Sequence, residues 1–189
     1  MKPKLQLVPS LQLVPSETVA AIDPHDLDAL YRRFSPYVAV VAMRLIGRDA
    51  DLDDVVQDVF LQALRGLSQL RDPAAIKGWL AKVTVRVAVR RLRKRRLLRA
   101  LHLDAIGVDY EQIASPDTTL DQKALLAKTY AVLDQLAART RVIWVLRHVL
   151  GEPLHEIAEL CECSQSTVQR KLREAESLLE QQIEELPHE

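Results

Sequence analysis

The sequence predicts an all-α chain of two small helical domains, and three observations carry that expectation. Of its 189 residues 48% are apolar but only 4% aromatic, with Leu, Val and Ala dominant, a composition that favours small helical units over β-sandwiches. Apolar residues recur every three or four positions, the period of a helix with one buried face. Five glycines and nine prolines leave few hairpin turns, and the length suits one large or two small domains.

Residues 1–23 are expected to form a flexible extension. They contain a perfect tandem hexapeptide, LQLVPS at 5–10 and again at 11–16, whose prolines remove backbone donors and break helix and strand alike. From Asp26 the pattern turns helical: Leu27, Leu30, Phe34, Val38, Val41 and Leu45 form one stripe, and Gly47 is placed to stop it. After Asp49-Ala50-Asp51 a second helix sets Val55, Val56, Val59, Phe60, Ala63, Leu64 and Leu67 on one face. Its opposite face carries Asp53, Asp54, Gln57, Asp58 and Gln62, an acidic, amide-rich surface. Residues 66–78, with Asp72-Pro73, read as a loop or broken turn, and Trp79 opens a third helix that runs to Arg96. Its valines would also suit a strand, so packing must decide.

These three helices make a domain at 24–99. Residues 100–119 hold Asp104, Asp109, Glu111 and Asp117 without Lys or Arg, and are expected to be an acidic flexible linker. A second domain at 120–183 follows, with helices at 120–136, 139–150, 154–161 and 165–183 and a tail at 184–189. Its breaks fall at Ala137-Ala138, Gly151-Glu152-Pro153 and Glu162-Cys163-Ser164.

A formal net charge of zero conceals segregation. Residues 1–70 carry 7 basic and 9 acidic side chains, residues 71–99 carry 11 and 1, and residues 100–189 carry 8 and 16. Such a basic block calls for a polyanion or acidic neighbours. The longest apolar stretch, Tyr37 to Met43, is far below the roughly 18 residues of a membrane span, and no signal peptide opens the chain, so a soluble, cytoplasmic protein is expected. The two cysteines, Cys161 and Cys163, offer no disulfide framework and fit a reducing compartment.

Residues 154–172 follow the logic of a helix-turn-helix. Ile157, Ala158 and Cys161 face inward from the first helix, and Val168, Leu172 and Ala175 anchor the second. Ser164 is a natural N-cap. Gln165, Ser166, Gln169 and Arg170 then lie on the exposed leading face, where Gln and Arg can make paired hydrogen bonds to base edges. Lys171 and Arg173 are better placed for phosphates. The turn position often filled by Gly is Glu162, which tolerates a positive φ poorly.

Taken together, these features resemble the small, two-domain, extracytoplasmic-function type of bacterial RNA polymerase sigma factor. The stretch 51–64 looks like the region-two signature Asp-x-x-Gln-Asp/Glu-x-Phe, carried by Asp54, Gln57, Asp58 and Phe60. Trp79-Leu80 looks like the Trp-Leu that opens the promoter-reading helix. Residues 141–146, Glu156-Ile157-Ala158, Thr167-Val168 and Leu172 are similar to region four.

The resemblance implies roles. Asp53, Asp54, Gln57 and Asp58 would bind the clamp helices of the polymerase β′ subunit. Residues after Ser68 would capture an unstacked base of the minus-10 element, and Lys82, Arg86, Arg90 and Arg93 would contact promoter DNA. The neighbouring Arg91, Lys94, Arg95 and Arg96 would add phosphate contacts. Gln165, Ser166, Thr167, Gln169, Arg170, Lys171 and Arg173 would read the minus-35 element, and an anti-sigma factor is a further partner. The family usually has Asn and Asp where this chain has Arg86 and Arg90, and Leu136-Ala137 stands where a Leu-Pro often precedes region four.

No catalysis, cofactor or metal is expected. Nucleophile elbow, glycine-rich phosphate loop and H-E-x-x-H are all missing from the sequence. His148, His155, Cys161 and Cys163 invite a zinc site, but Cys161 falls on the inward stripe. Trp79 and Trp144 read as core anchors. The alternatives are a free-standing helix-turn-helix regulator, which has no use for the acidic face, and a recombinase-like enzyme, which would need a catalytic cluster on another fold.

Overall fold

Helical phase leaves open which neighbours each stripe meets. The computed structural model, which describes residues 27–47, 52–66, 75–103, 110 and 118–183, supplies them. Among the described residues there are seven α-helices and no strand: α1 (Leu27–Ile46), α2 (Leu52–Gly66), α3 (Ile76–Ala100), α4 (Leu120–Leu133), α5 (Ala138–His148), α6 (Leu154–Leu160) and α7 (Gln165–Ile183). The described residues fall into two compact units, one holding α1–α3 and the other Tyr110 with α4–α7. The hexapeptide repeat, Leu67, the loop after Ser68 and the tail at 184–189 lie outside the described residues.

In the unit of α1–α3 each helix packs against the other two. Leu30, Phe34, Val38, Val41 and Leu45 of the predicted stripe are buried in α1, together with Tyr37. Gly47, at φ +83°, ends the helix with its amide on the Met43 carbonyl at 2.8 Å, the left-handed stop that glycine makes cheaply. Val55, Val56, Val59, Phe60 and Ala63 are buried from α2, and Tyr31 meets Phe60 edge to face at 4.8 Å between centroids. Each fully buried aliphatic or phenyl side chain contributes about 1.5–3 kcal/mol.

Leu64 departs from its expected place. It is 51% exposed, because the stripe through Val56, Val59, Phe60 and Ala63 already fills the contact and one further helical step rotates Leu64 out of it.

The third helix is longer than expected at both ends. It starts at Ile76, so Gly78 lies inside a helix and not in a loop, and it extends through Ala100 beyond Arg96. Ile76 and Leu80, one turn apart, are both buried, and that burial outweighs the low propensity of Gly78. Wedged between two helices, Val83, Val85 and Val87 are buried on several sides as helix, and the Thr84 hydroxyl donates to the Leu80 carbonyl at 2.8 Å. Packing thus resolves the valine ambiguity.

Arg95 is a second correction. It is buried and its Nη1 donates to the Ile46 carbonyl at 2.8 Å, satisfying an orphan acceptor at the negative end of α1. It is committed within the unit and not to phosphates. The helix closes in a double turn, with His102 N–H on the Arg99 carbonyl and Leu103 N–H on the Leu98 carbonyl, both at 2.9 Å, and His102 at φ +55°.

Trp79 is half-buried rather than a full core anchor. Its ring lies against the end of α2, where a Cβ added to Gly66 would stand 2.8 Å from Cζ2 of Trp79. Gly66→Ala is therefore expected to destabilise this unit by about 1–3 kcal/mol, the cost of overpacking. A thermal or urea melt of the variant checks it, and an unchanged midpoint would mean that the indole shifts freely.

In the second unit α7 packs on α4, α5 and α6 through Val168, Leu172, Ala175 and Leu179, all buried. Thr119 and Gln122 form a reciprocal capping box that starts α4. That helix ends at Leu133 and not at 136, because the Gln135 and Leu136 amides turn back to carbonyls only three residues behind. Trp144 is buried in α5, as expected of a core anchor. Gly151, at φ +75°, turns the chain into α6.

Candidate polymerase and nucleic-acid interface

Because α2 buries Val55, Val56, Val59, Phe60 and Ala63 in the core, the start of its outer face is left to polar groups. Asp53, Asp54, Gln57 and Asp58 are all exposed, and the two first-turn aspartates suit the positive end of the helix. Helical spacing carries the same face on to Leu61 and Leu64, 49% and 51% exposed. The surface is therefore acidic and amide-bearing at its start and apolar at its end. Leu61 escaped the sequence pattern because an isolated apolar residue on a polar face carries no periodicity of its own.

On α3 the steps Lys82, Arg86, Arg90 and Arg93 trace one stripe by spacings of four, four and three. Arg86, Arg90 and Arg93 are exposed and Lys82 is half-buried. Lys94 and Arg96 are exposed beside them, and Arg91 is half-buried. No acidic residue occurs anywhere in α3, so the helix presents a field of one sign. α2 and α3 thus give a single unit two faces of opposite charge.

The helix-turn-helix is built by α6 and α7. The Ile157 and Ala158 side chains are buried, and Cys161 just past α6 is buried too. Ser164 caps α7: the Thr167 N–H donates to its Oγ at 3.2 Å, and hydroxyls of Ser166 and Thr167 lie 2.9 and 3.0 Å from that oxygen. Glu162 takes φ +51°. The turn keeps its usual form, with Cys163 N–H on the Ala158 carbonyl at 2.9 Å and Glu162 N–H on the Glu159 carbonyl at 3.2 Å, and Glu bears the strain that Gly would avoid.

Gln165, Ser166, Gln169, Arg170 and Arg173 are exposed on the leading side of α7, and Thr167 is half-buried. The Arg173 Nε also reaches the Gln169 carbonyl at 3.4 Å. Lys171 is held differently. Its ammonium is 2.8 Å from Glu174 Oε2, and Glu174 Oε1 accepts from the Thr140 hydroxyl at 3.3 Å.

Burial pushes the Cys161 thiol up to about 12, so it sits on the inward stripe as a neutral thiol. His148 sits 4.8 Å from the Trp144 ring centroid and 3.4 Å from Glu176; its burial lowers its pKa although Glu176 pulls the other way. Among the described residues no group of three or more His, Cys, Asp or Glu is gathered to hold a metal ion. Likewise no described helix is long and apolar enough to cross a membrane.

These features define a helix-turn-helix DNA-binding protein that carries a separate three-helix unit. Residues 30–97 match the family Sigma-70 region 2, and residues 126–179 match Sigma-70, region 4. The chain is 29% identical to RNA polymerase sigma factor SigV of Bacillus subtilis over 76% of this chain and 82% of that protein. It is 27% identical to ECF RNA polymerase sigma factor SigE of Mycolicibacterium smegmatis over 77% of this chain, spanning 56% of that relative's length. The solved structure of the sigma factor RpoE of Bartonella quintana, in complex with the anti-sigma factor NepR, matches with a TM-score of 0.61 at 19% identity over 86% of this chain and 99% of that one. With both regions matched in order over more than half its length, the chain belongs to the sigma-70 family of RNA polymerase sigma factors, in the extracytoplasmic-function group.

Proposed function

We propose that this chain directs core RNA polymerase to promoters by dividing the work between its units. The unit at 24–99 docks on the clamp helices of the β′ subunit through Asp53, Asp54, Gln57 and Asp58. It also contacts the minus-10 element through Lys82, Arg86, Arg90 and Arg93. The unit at 120–183 reads the minus-35 element, with Gln165, Ser166, Thr167, Gln169 and Arg170 at base edges and Lys171 and Arg173 at phosphates. The work is done in the cytoplasm, at the nucleoid when the protein is active, and an anti-sigma factor restrains it.

One observation carries this proposal: the exposed acid-and-amide face of α2, in a chain that also holds a helix-turn-helix. A carboxylate or amide placed opposite basic side chains makes charge-assisted hydrogen bonds, and a protein that only binds DNA has no need of it. Leu61 and Leu64 add apolar contact where the acidic side chains stop. Promoter opening then requires no bond-making chemistry, only binding energy to offset unstacking at a few kcal/mol per extruded base.

The test is transcription from a pool of promoter fragments by sigma-free core polymerase with and without the purified protein. Start sites that appear only with the protein bear the proposal out. Binding to defined DNA without binding to core would instead make the chain a free-standing regulator. A second measurement addresses α3: Arg86→Ala, Arg90→Ala and Arg93→Ala together are expected to lower the salt slope of promoter binding by about 2–3, at roughly 0.7–0.9 per phosphate contact. An unchanged slope would remove the stripe from the DNA interface.

A further inference from the structure

Tyr110 falls within the segment expected to be a flexible linker, yet it is 9% exposed and belongs to the C-terminal unit. Its ring stacks on Tyr130 of α4 at 5.2 Å between centroids and 28° between planes. Its hydroxyl donates to Asp134 Oδ2 at 2.6 Å and accepts from Arg141 Nη1 at 3.1 Å. The Arg141 guanidinium stands 5.3 Å from the Tyr110 centroid and 5.4 Å from that of Tyr130, and it is ion-paired with Asp134. One phenol thus fills a stacking site, a donor site and an acceptor site at once. A residue serving only as chain between two units has no reason to satisfy all three.

We propose that Tyr110 is a latch and a positioning residue: it fastens the incoming chain to the C-terminal unit and so sets the reach between the two promoter-reading surfaces. The promoter part rests on the function proposed above. From Leu103 to Tyr110 is seven residue steps, a span of about 25 Å at most when fully extended. Were the chain held only from the α4 cap at Thr119, the steps would number sixteen and the limit would be about 55 Å. Double-stranded DNA advances 3.4 Å per base pair, so the difference corresponds to several base pairs of spacer. A shorter tether also raises the effective concentration of one unit at its DNA element once the other is bound, and it penalises spacings that the tether cannot bridge. Tyr110 would thereby narrow the range of promoter spacers the protein accepts.

Two readouts on the full-length chain test the latch and its consequence separately. Glu111, next to Tyr110, is a cleavage site for a glutamate-specific protease, and Glu162 in the helix-turn-helix turn is an internal control. Tyr110→Ala is expected to speed cleavage at Glu111 about tenfold or more and leave Glu162 within twofold. Tyr110→Phe, which keeps the stack and loses both hydroxyl bonds, is expected to give about a fivefold increase. Wild-type rates at Glu111 in both variants overturn the latch; if Tyr110→Ala loosens the whole unit and exposes Glu162, Tyr110→Phe decides. The second readout is transcription with core polymerase from promoters whose spacer is changed one base pair at a time. The variants are expected to raise output at spacings two base pairs from the optimum at least threefold relative to the optimum. A released Glu111 with an unchanged spacer profile overturns the positioning role. A wild-type protein that supports no transcription at any spacing counts against the function proposed above, and the protease rates still judge the latch.

Discussion

Replacing Gln57 and Asp58 together by alanine is expected to weaken binding to core polymerase by about a hundredfold and to leave the thermal midpoint of the protein within a degree or two. Both side chains are exposed on α2, so neither holds the fold, and alanine is the better helix former at each position. On the function proposed above, what they lose is contact with a partner. Hydrogen bonds in which one group is charged are worth about 1.5–3 kcal/mol each, and two of them at the low end sum to about 3 kcal/mol, or two decades in Kd. Affinity of the same variant for promoter DNA without polymerase should not move, because the DNA contacts proposed above lie on α3 and α7 and not on the outer face of α2. Core affinity equal to wild type would remove the α2 face from the polymerase interface. A parallel loss of DNA affinity would mean that α2 is needed for something more general than docking.

The features legible in the sequence are those written in short periods. The stripe of Leu30, Phe34, Val38, Val41 and Leu45 repeats at helical spacing, and all five are buried. Gly47 stops α1 and Ser164 caps α7 because local sterics and hydrogen bonding decide a helix end with little help from the rest of the fold. The polar face of α2 was legible for the same reason, since it is the complement of a buried stripe.

Features that depend on which helix meets which could not be read this way. Gly78 looks like a breaker, yet Ile76 and Leu80 bury themselves against neighbours that local pattern does not name. Leu64 looks like core and is exposed. Arg95 is indistinguishable in sequence from the basic residues around it, and only the approach of the α1 end turns it into a buried donor. Helix termination by His102 in left-handed conformation is similarly invisible, because the usual signal is a glycine, whereas Glu162 could be placed because the helix-turn-helix spacing marks the position where glycine is usual.

The least legible feature has the largest consequence for stability. Arg141→Met is expected to cost the C-terminal unit about 3–5 kcal/mol, lowering its midpoint by more than about 10 °C. The side chain is 2% exposed, pairs with Asp134 and bonds the Tyr110 hydroxyl. Asp134 is itself only 15% exposed at its side chain, so removing the arginine leaves a largely desolvated carboxylate with its main counter-charge gone. The size of the loss comes from that stranded charge more than from the pair. A double variant, Arg141→Met with Asp134→Leu, should therefore recover most of the stability, since apolar replacement of a whole buried ion pair is often neutral. Emission from Trp144, buried on the same helix as Arg141, followed in a Trp79→Phe background, reports the unit selectively. A single variant that loses less than about 1 kcal/mol would show that solvent reaches Asp134 freely. A double variant as unstable as the single would place the cost in packing around the two tyrosines. The same cluster holds Tyr110, so the single variant should also speed cleavage at Glu111 by the protease, tying the stability of the C-terminal unit to the anchoring of the chain that leads into it.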